Sequence, residues 1–263
     1  MRWISTEIRQ SLAIRGSLGT LKLCGTKAIR LLQGLTPSAR AARSRARALD
    51  QEFDRKYGVE TSGIVYPSES VVVGTNWIHG IKYEAVTQPL FVQAIKALSI
   101  PYEEFVFIDF GSGKGRALLL AAGFAFKRIV GIEYCDDLNR IARQNVLRYP
   151  DASKRCKDID LVCMDAAEYR LPNEPLVLFF YNPFGRLVME HVVKNVMDSF
   201  QSNRRRMVIV YLTPEYADLW DHVSFLKRSR PGRGVWDTGS IMADCEEGLR
   251  GEAWGEREAS THR

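Results

Sequence analysis

Residues 105–116 read FVFIDFGSGKGR, and this stretch decides the fold of the chain. An apolar strand over 105–110 runs into a turn with glycine at alternate positions, Gly111, Gly113 and Gly115, and the turn opens a helix. Glycine lets the backbone approach a ligand more closely than any Cβ would permit. The helix start adds unpaired N–H groups and a partial positive charge. The stretch therefore predicts a turn that binds a nucleotide-like cofactor.

The spacing of the glycines separates two classes of cofactor. A dinucleotide-binding turn follows G-x-G-x-x-G, whereas here Gly115 comes one residue early and is followed by Arg116. The strand also ends with Asp109, whose carboxylate would repel a pyrophosphate. This combination resembles motif I, (D/E)-x-G-x-G-x-G, of the class I (seven-strand) S-adenosylmethionine-dependent methyltransferases. S-Adenosylmethionine (SAM) has no phosphate and carries a cationic amino group and a sulfonium, so a carboxylate suits it.

The chain beyond the turn alternates between strand and helix patterns, which predicts a doubly wound parallel sheet of the α/β class. Strands are predicted over 105–110, 128–133, 159–164, 176–181 and 207–212, a closing β-hairpin over 223–243, and helices over 83–98, 114–125, 136–148, 186–200 and 214–221. The resemblance to class I methyltransferases covers residues 80–245. It implies their Rossmann-like seven-stranded sheet with an antiparallel seventh strand, here preceded by an N-terminal helical extension.

Charge is distributed unevenly along the 263 residues. Residues 1–56 hold twelve Lys and Arg against four Asp and Glu, a balance of +8, whereas the whole chain carries +6. We therefore predict a basic helical extension over 1–57 and a methyltransferase domain over 58–245 that begins with an irregular loop. A charged tail over 246–263 is predicted to be disordered, because it has little apolar content.

The basic extension is predicted to contain a helix over 38–57, with Arg40, Arg43 and Arg47 on one face. Such an arm would suit RNA, an acidic protein or an anionic membrane surface as its partner. A solvated helix face that packs beside the domain is the alternative. If the arm binds a partner, its deletion up to residue 56 should leave SAM affinity intact.

Cysteine and histidine usage gives no metal signature, since the five cysteines contain no C-x-x-C pair and the four histidines are scattered. Residues 1–7 lack the apolar stretch of a signal peptide. The longest apolar run, over 117–126, is shorter than the roughly 18 residues that span a bilayer. These features predict a reduced, cytoplasmic protein without a metal or a transmembrane segment.

Ligands of open α/β sheets bind beyond the carboxyl ends of the strands, and acidic residues follow three predicted strands. The resemblance implies that the cofactor contacts at these ends come from Asp109, Gly111, Ser112, Gly113, Gly115, Glu133, Tyr134, Asp165 and Ala166. Glu133 would accept hydrogen bonds from the ribose hydroxyls, and Tyr134 would cover the adenine. Asp165 would accept from the adenine amino group, while the Ala166 N–H donates to a ring nitrogen. A plain loop carboxylate at Glu133 and a helix cap at Asp165 are the alternatives.

The fourth predicted strand ends with Asn182-Pro183-Phe184, which resembles motif IV, (N/D/S)-P-P-(F/Y/W), of methyltransferases that act on amino nitrogens. The Asn182 oxygen would orient the lone pair of an amine and contact the cofactor, Pro183 fixes the backbone, and Phe184 would stack on a planar group or surround a cation. One proline instead of two argues against DNA-adenine methylation. A simple turn is the alternative.

Tyr83 and Glu84 precede the helix that leads into the first strand of the sheet. By the same resemblance, Tyr83 would contact the cofactor and Glu84 would polarise the nucleophile. Surface placement is the alternative for both.

These residues predict an enzyme that transfers the methyl group of SAM in one in-line displacement. The acceptor is expected to be an amino group. Protein lysine is favoured over a nucleobase or a small amine, because the turn from Asp109 to Gly115, of the form D-x-G-S-G-x-G, resembles that of seven-strand methyltransferases that act on protein lysines. The alternatives are a non-catalytic SAM-binding or RNA- or protein-binding module with the same fold, and an NAD-dependent oxidoreductase. The glycine spacing and the lack of a Tyr-x-x-x-Lys pair disfavour the oxidoreductase.

Overall fold

The computed structural model describes residues 36–63, 83–181, 183–229 and 234–239. The helices are α1 (Pro37–Tyr57), α2 (Gln88–Lys96), α3 (Arg116–Ala122), α4 (Asp136–Arg148), α5 (Arg186–Ser202) and α6 (Ala217–Asp221). The strands are β1 (Val106–Phe110), β2 (Arg128–Glu133), β3 (Ile159–Cys163), β4 (Leu176–Tyr181), β5 (Met207–Leu212), β6 (Lys227–Arg228) and β7 (Val235–Asp237). Helices and strands alternate from α2 to β3 and from β4 to β5, as the sequence predicted, and β4 follows β3 without an intervening α-helix.

The strands form one seven-stranded sheet in the order β3-β2-β1-β4-β5-β7-β6. Strands β1 to β5 run parallel to one another, and β7 is antiparallel to both β5 and β6. This is the topology of class I methyltransferases, so the predicted fold class is confirmed. The strand order reverses between β2-β1 and β4, which opens a crevice at the carboxyl ends of these strands.

Helices cover both faces of the sheet, because the central strands are apolar on both sides. Every residue of β1 is buried. Phe107 packs in a cluster with residues of α2 and α3 on one face, whereas Val106 and Ile108 pack with residues of α5 on the other. Burying one such side chain stabilises the fold by roughly 1.5–3 kcal/mol. The two clusters fix the sheet edge on which the candidate site lies.

The predicted bounds are confirmed for β2, β4, β5 and α4, and they differ by one or two residues for β1, β3, α1 and the end of α5. Larger differences occur at helix starts. Gly115 has φ +83°, in the left-handed region, so α3 begins only at Arg116, and it ends at Ala122, before the capping residue Gly123. Proline in the first turn of α2 sets its start at Gln88, five residues after the predicted one.

The closing hairpin is shorter than predicted, with two residues in β6 and three in β7. Helix α6 likewise begins at Ala217 rather than at 214. The predicted positions 240–243 lie outside the described residues.

The chain divides into two compact units, Met1–Leu49 and Asp50–Arg263. The last two turns of α1 belong to the second unit, where the Phe53 ring lies 4.7 Å from Tyr57 and 6.3 Å from Tyr149, measured between centroids. The two boundaries between the three predicted segments stay predictions. The tail over 246–263 and the side chains of Arg40, Arg43 and Arg47 lie outside the described part of the chain, and no described helix is long and apolar enough to cross a membrane.

Candidate active site

The glycine-rich turn follows β1 and is built on left-handed backbone. Gly111, Gly113 and Gly115 have φ values of +79°, +52° and +83°, which side chains rarely allow. A Cβ on Gly111 would come within 2.6 Å of the Cβ of Pro183, and a Cβ on Gly113 would come within 2.2 Å of the Tyr83 ring. The turn is therefore closely packed on both sides, by the segment after β4 and by the segment before α2.

Glu133, the last residue of β2, holds the turn in place. Its Oε2 accepts from the Gly113 N–H at 2.7 Å, and its Oε1 accepts from the Cys135 N–H at 3.0 Å. The side chain is buried, so it is not a plain loop carboxylate. Each oxygen keeps a second acceptor position, which leaves the predicted hydrogen bonds to ribose hydroxyls possible. The ribose role stays a prediction.

Asp109 and Glu133 are two buried carboxyl groups next to the same turn. Burial, and after it the nearby charge of Glu133, together raise the pKa of Asp109 to about 8. Burial also raises the pKa of Glu133 to about 7, against the lowering effect of the backbone N–H groups that it accepts from. The free site therefore holds protons near neutral pH, and a bound cation would favour their release.

A first cavity of about 380 Å³ lies beyond the ends of β2 and β3. Its lining residues are Gly111, Ile132, Tyr134, Met164, Asp165, Ala166, Pro183, Phe184 and Val188. Asp165 Oδ1 accepts from the Ala167 N–H at 2.9 Å, so the side chain caps the short 3₁₀ turn Ala166–Glu168. A contact of the same side chain with an adenine stays a prediction, compatible with the cap.

A second cavity of about 270 Å³ adjoins the first, and Gly111 lines both. Its other lining residues are Tyr83, Glu84, Ala85, Val86, Asp109, Ser112, Arg116, Ala117, Phe179 and Tyr181. Glu84 is exposed and borders this cavity, and its role towards the nucleophile stays a prediction. The Ser112 hydroxyl is buried and has no hydrogen-bond partner among the described residues.

The motif IV segment contributes to the first cavity. Phe184 is buried, with its ring perpendicular to that of Phe180 at 6.4 Å, and it lines the first cavity. It does not line the cavity that Glu84 borders. Asn182 lies outside the described residues, so the catalytic roles of Asn182, Pro183 and Phe184 stay predictions.

Two features of the site escaped the sequence-based interpretation. Tyr181 is the last residue of β4 and lines the second cavity, and its position directly before Asn182 was the available signal. Arg116 was interpreted only as an argument against a dinucleotide site. Its buried guanidinium instead donates to the carboxylates of Asp50 and Asp54, at 3.3 Å each. These two residues are four positions apart on α1, so they lie on the same face of the helix. Among the described residues, no group of three His, Cys, Asp or Glu could hold a metal ion.

The strand order and the glycine turn together give the chain the fold of SAM-dependent methyltransferases. No protein family matches the sequence, and no curated protein matches it either. Among solved structures, it is similar to a "predicted N6-adenine-specific DNA methylase" from Listeria monocytogenes, at 11% identity and a TM-score of 0.44. That match covers 58% of this chain and half of the Listeria chain.

A second similar structure is an RNA methyltransferase from Salinibacter ruber in complex with S-adenosyl-L-homocysteine, at 16% identity and a TM-score of 0.38. The match covers 58% of this chain and 90% of the Salinibacter chain. Similarities at this level of identity and TM-score concern the fold alone, and the activities of these two proteins are not assigned to this chain.

Proposed function

We propose that this protein is a SAM-dependent methyltransferase that methylates an amino group, with protein lysine as the favoured acceptor. One observation carries the proposal: the two cavities meet at Gly111, along the carboxyl ends of β1 to β4. A cofactor across this junction would have its adenine in the first cavity and its methionine part in the second. The reacting methyl group would then face Glu84 and Tyr181.

The residues around the junction suit the parts of SAM. The Asp109 carboxylate suits the cationic amino group of SAM. The first cavity is mainly apolar apart from Asp165 and the Tyr134 hydroxyl, as an adenine pocket requires. Once bound, SAM supplies a methyl group on a sulfonium, so the protein has to align it and exclude water.

Acidic surroundings at the second cavity favour a cationic acceptor. The Glu84 carboxylate and the Tyr181 hydroxyl both line it. Burial raises the pKa of Tyr181, and the charges of Glu84 and Asp50 add to the rise, so the negative charges lie close to the hydroxyl. A lysine side chain has a reference pKa of about 10.4 and arrives protonated. In this proposal Glu84 attracts the ammonium and accepts its proton before the methyl transfer.

Glu84→Gln should lower kcat by about 100-fold, a typical loss when a group that accepts a proton is removed. The affinity for SAM should change by less than about twofold, because Glu84 is not a proposed cofactor contact. The matched control is Glu103→Gln, which changes another exposed glutamate, on the short turn Tyr102–Glu104, and should keep full activity. Equal rates for both variants would exclude Glu84 from the reaction.

The affinity for SAM should depend on pH through Asp109. Because burial raises the pKa of this carboxyl to about 8 in the free protein, it is neutral below that pH and must ionise to hold a cationic amino group. Affinity should therefore increase by up to about tenfold per pH unit from pH 6 towards 8. Above pH 8 the increase should stop, because Asp109 is then ionised, and the affinity should fall where the amino group of SAM loses its proton.

Asp109→Asn provides the control for this titration. The variant should bind SAM weakly with little increase between pH 6 and 8. Asp109 has a higher pKa in the folded protein than in the unfolded chain. Between about pH 4 and 8 the unfolded chain therefore releases this proton more readily, and the free energy of unfolding of the native protein falls as the pH rises. The free Asn variant should accordingly be more stable than the native protein at pH 8 in thermal unfolding. A pH-independent affinity in the native protein would contradict the assignment.

The acceptor class can be tested with tritiated SAM, purified protein and a cell lysate, followed by separation of protein, RNA and small molecules. We expect the label in protein, and as N-methyl-lysine after hydrolysis. Label in RNA or in a small amine would keep N-methylation and reject lysine, whereas an O- or S-methyl product would reject an amine acceptor. SAM binding without any transfer would favour the non-catalytic module.

A further inference from the structure

The segment after α1 is fixed by one carboxylate of that helix. Asp54 Oδ2 accepts from the backbone N–H groups of Thr61 and Ser62, at 2.9 and 2.7 Å. Its Oδ1 accepts from the Thr61 hydroxyl at 2.6 Å and from Arg116. Thr61 is fully buried, and its hydroxyl also accepts from the Arg116 guanidinium. Asp54 thus uses both oxygens to hold two consecutive residues.

The glycine turn holds the same segment from the other side. The Lys114 ammonium donates to Glu60 Oε1 at 2.9 Å and to the Ser62 carbonyl at 3.2 Å. The Asn145 amide donates to the carbonyls of Glu60 and Lys114, at 2.8 and 2.9 Å. The segment from Glu60 to Ser62, which we call the strap, is therefore bonded both to α1 and to the turn that would bind SAM.

Tyr83 connects the strap to the second cavity. Its hydroxyl donates to the Thr61 carbonyl at 2.6 Å. Its ring lies so close to Gly113 that a Cβ there would come within 2.2 Å of two ring carbons. Burial raises the pKa of Tyr83 far above its usual range, so the hydroxyl stays a neutral donor. Tyr83 lines the cavity together with Asp109 and Ser112.

We propose that Asp54 is a positioning residue of the cofactor site. It fixes Thr61, whose carbonyl holds Tyr83 against the glycine turn, and Tyr83 in turn forms a wall of the cavity. Asp54 itself does not line either cavity. The inference rests on the proposed function for the identity of the ligand, SAM. It adds a residue from α1, a helix that precedes the resemblance to methyltransferases, to the determinants of cofactor affinity.

A double-mutant cycle between Asp54→Asn and Tyr83→Phe tests this positioning role. Asparagine at position 54 keeps one acceptor oxygen, but its amide nitrogen faces groups that themselves donate hydrogen bonds. Phenylalanine at position 83 removes only the hydroxyl that donates to the Thr61 carbonyl. Each single variant should weaken SAM binding by about tenfold, measured by isothermal titration at pH 8. The double variant should be about as weak as either single variant, because both break one chain of contacts.

Two further readouts separate positioning from a general structural role. At saturating SAM, kcat of both single variants should stay within about twofold of the native value, while KM for SAM rises. Glu52→Gln removes a charge from the exposed side of the same helix and should leave both constants unchanged. Thermal unfolding confirms that each variant is folded, and Thr61→Val, which keeps the carbonyl, replaces Asp54→Asn in the cycle if that variant is not.

The outcomes are distinct. If the native protein binds no SAM, the proposed function fails, and the positioning role fails with it. If the native protein binds SAM but Asp54→Asn binds equally well, only the positioning role is overturned. A double variant that binds SAM about 100-fold more weakly than the native protein would also overturn it. Two tenfold losses that multiply in this way mean that the two residues act independently, because independent sites add in free energy.

Discussion

Gly113→Val is expected to abolish SAM binding in a protein that still folds. The φ of +52° at this position is strained for a β-branched residue, and the new Cβ would lie 2.2 Å from two carbons of the Tyr83 ring. The strained backbone and the overlap each cost roughly 1–3 kcal/mol. Relief requires the ring to move away from the turn or the turn to change shape. Either response disrupts the second cavity, so we expect at least a 100-fold loss of affinity by isothermal titration.

Gly58→Val is the matched control for this variant. Gly58 has a similar φ of +67°, but a Cβ there would have no neighbour within 4 Å. The control therefore carries the backbone strain without the collision, and it should lower thermal stability while leaving the affinity for SAM nearly unchanged. Binding by Gly113→Val within tenfold of the native protein would contradict the account of the turn.

Deletion of residues 1–56 is expected to destroy the fold, whereas deletion of residues 1–49 is expected to preserve it together with SAM binding. The longer deletion removes Asp50, Phe53 and Asp54. The Arg116 guanidinium, 2% exposed, would lose both carboxylates and the Phe53 ring, which lies 4.1 Å away. Breaking a buried ion pair costs roughly 3–5 kcal/mol, and losing a buried Phe about as much.

The sum of these losses is of the same size as the free energy of unfolding of a typical domain, about 5–15 kcal/mol. Circular dichroism and thermal unfolding would show the difference between the two deletions, and isothermal titration would show whether the shorter one binds SAM. The contacts of α1 thus move the expected boundary of the dispensable region from residue 56 to residue 49. A cooperative unfolding transition with native SAM affinity after the longer deletion would restore the original boundary.

The parts of the fold that follow from local pattern were predictable from the sequence. The bounds of β2 and α4 were right because β2 is a short apolar run and α4 starts with two acidic residues and ends just before Tyr149-Pro150. The carboxyl-end location of Asp109, Glu133 and Asp165 followed from the strand pattern as well. Helix starts were less predictable, since the conformation of Gly115 was not evident from its identity.

Contacts between distant segments could not be predicted. Asp54 and Arg116 are separated by 62 positions, and no motif relates a helix of the basic extension to the glycine turn. The two N–H groups that Glu133 accepts from were hidden for the same reason, because the resemblance implied only a ribose contact. Tyr181 belonged to an apolar strand pattern, so its place in the second cavity became visible only with the fold.

Titration of the native protein with SAM, and separately with NADH, at pH 8 in an isothermal calorimeter tests the central claim most directly. The account predicts saturable binding of SAM by each chain, no binding of NADH, and loss of the SAM signal in Asp109→Ala. These results would follow if the two cavities that meet at Gly111 form a SAM site. Binding of NADH in place of SAM, or native SAM affinity in the Asp109→Ala variant, would contradict it.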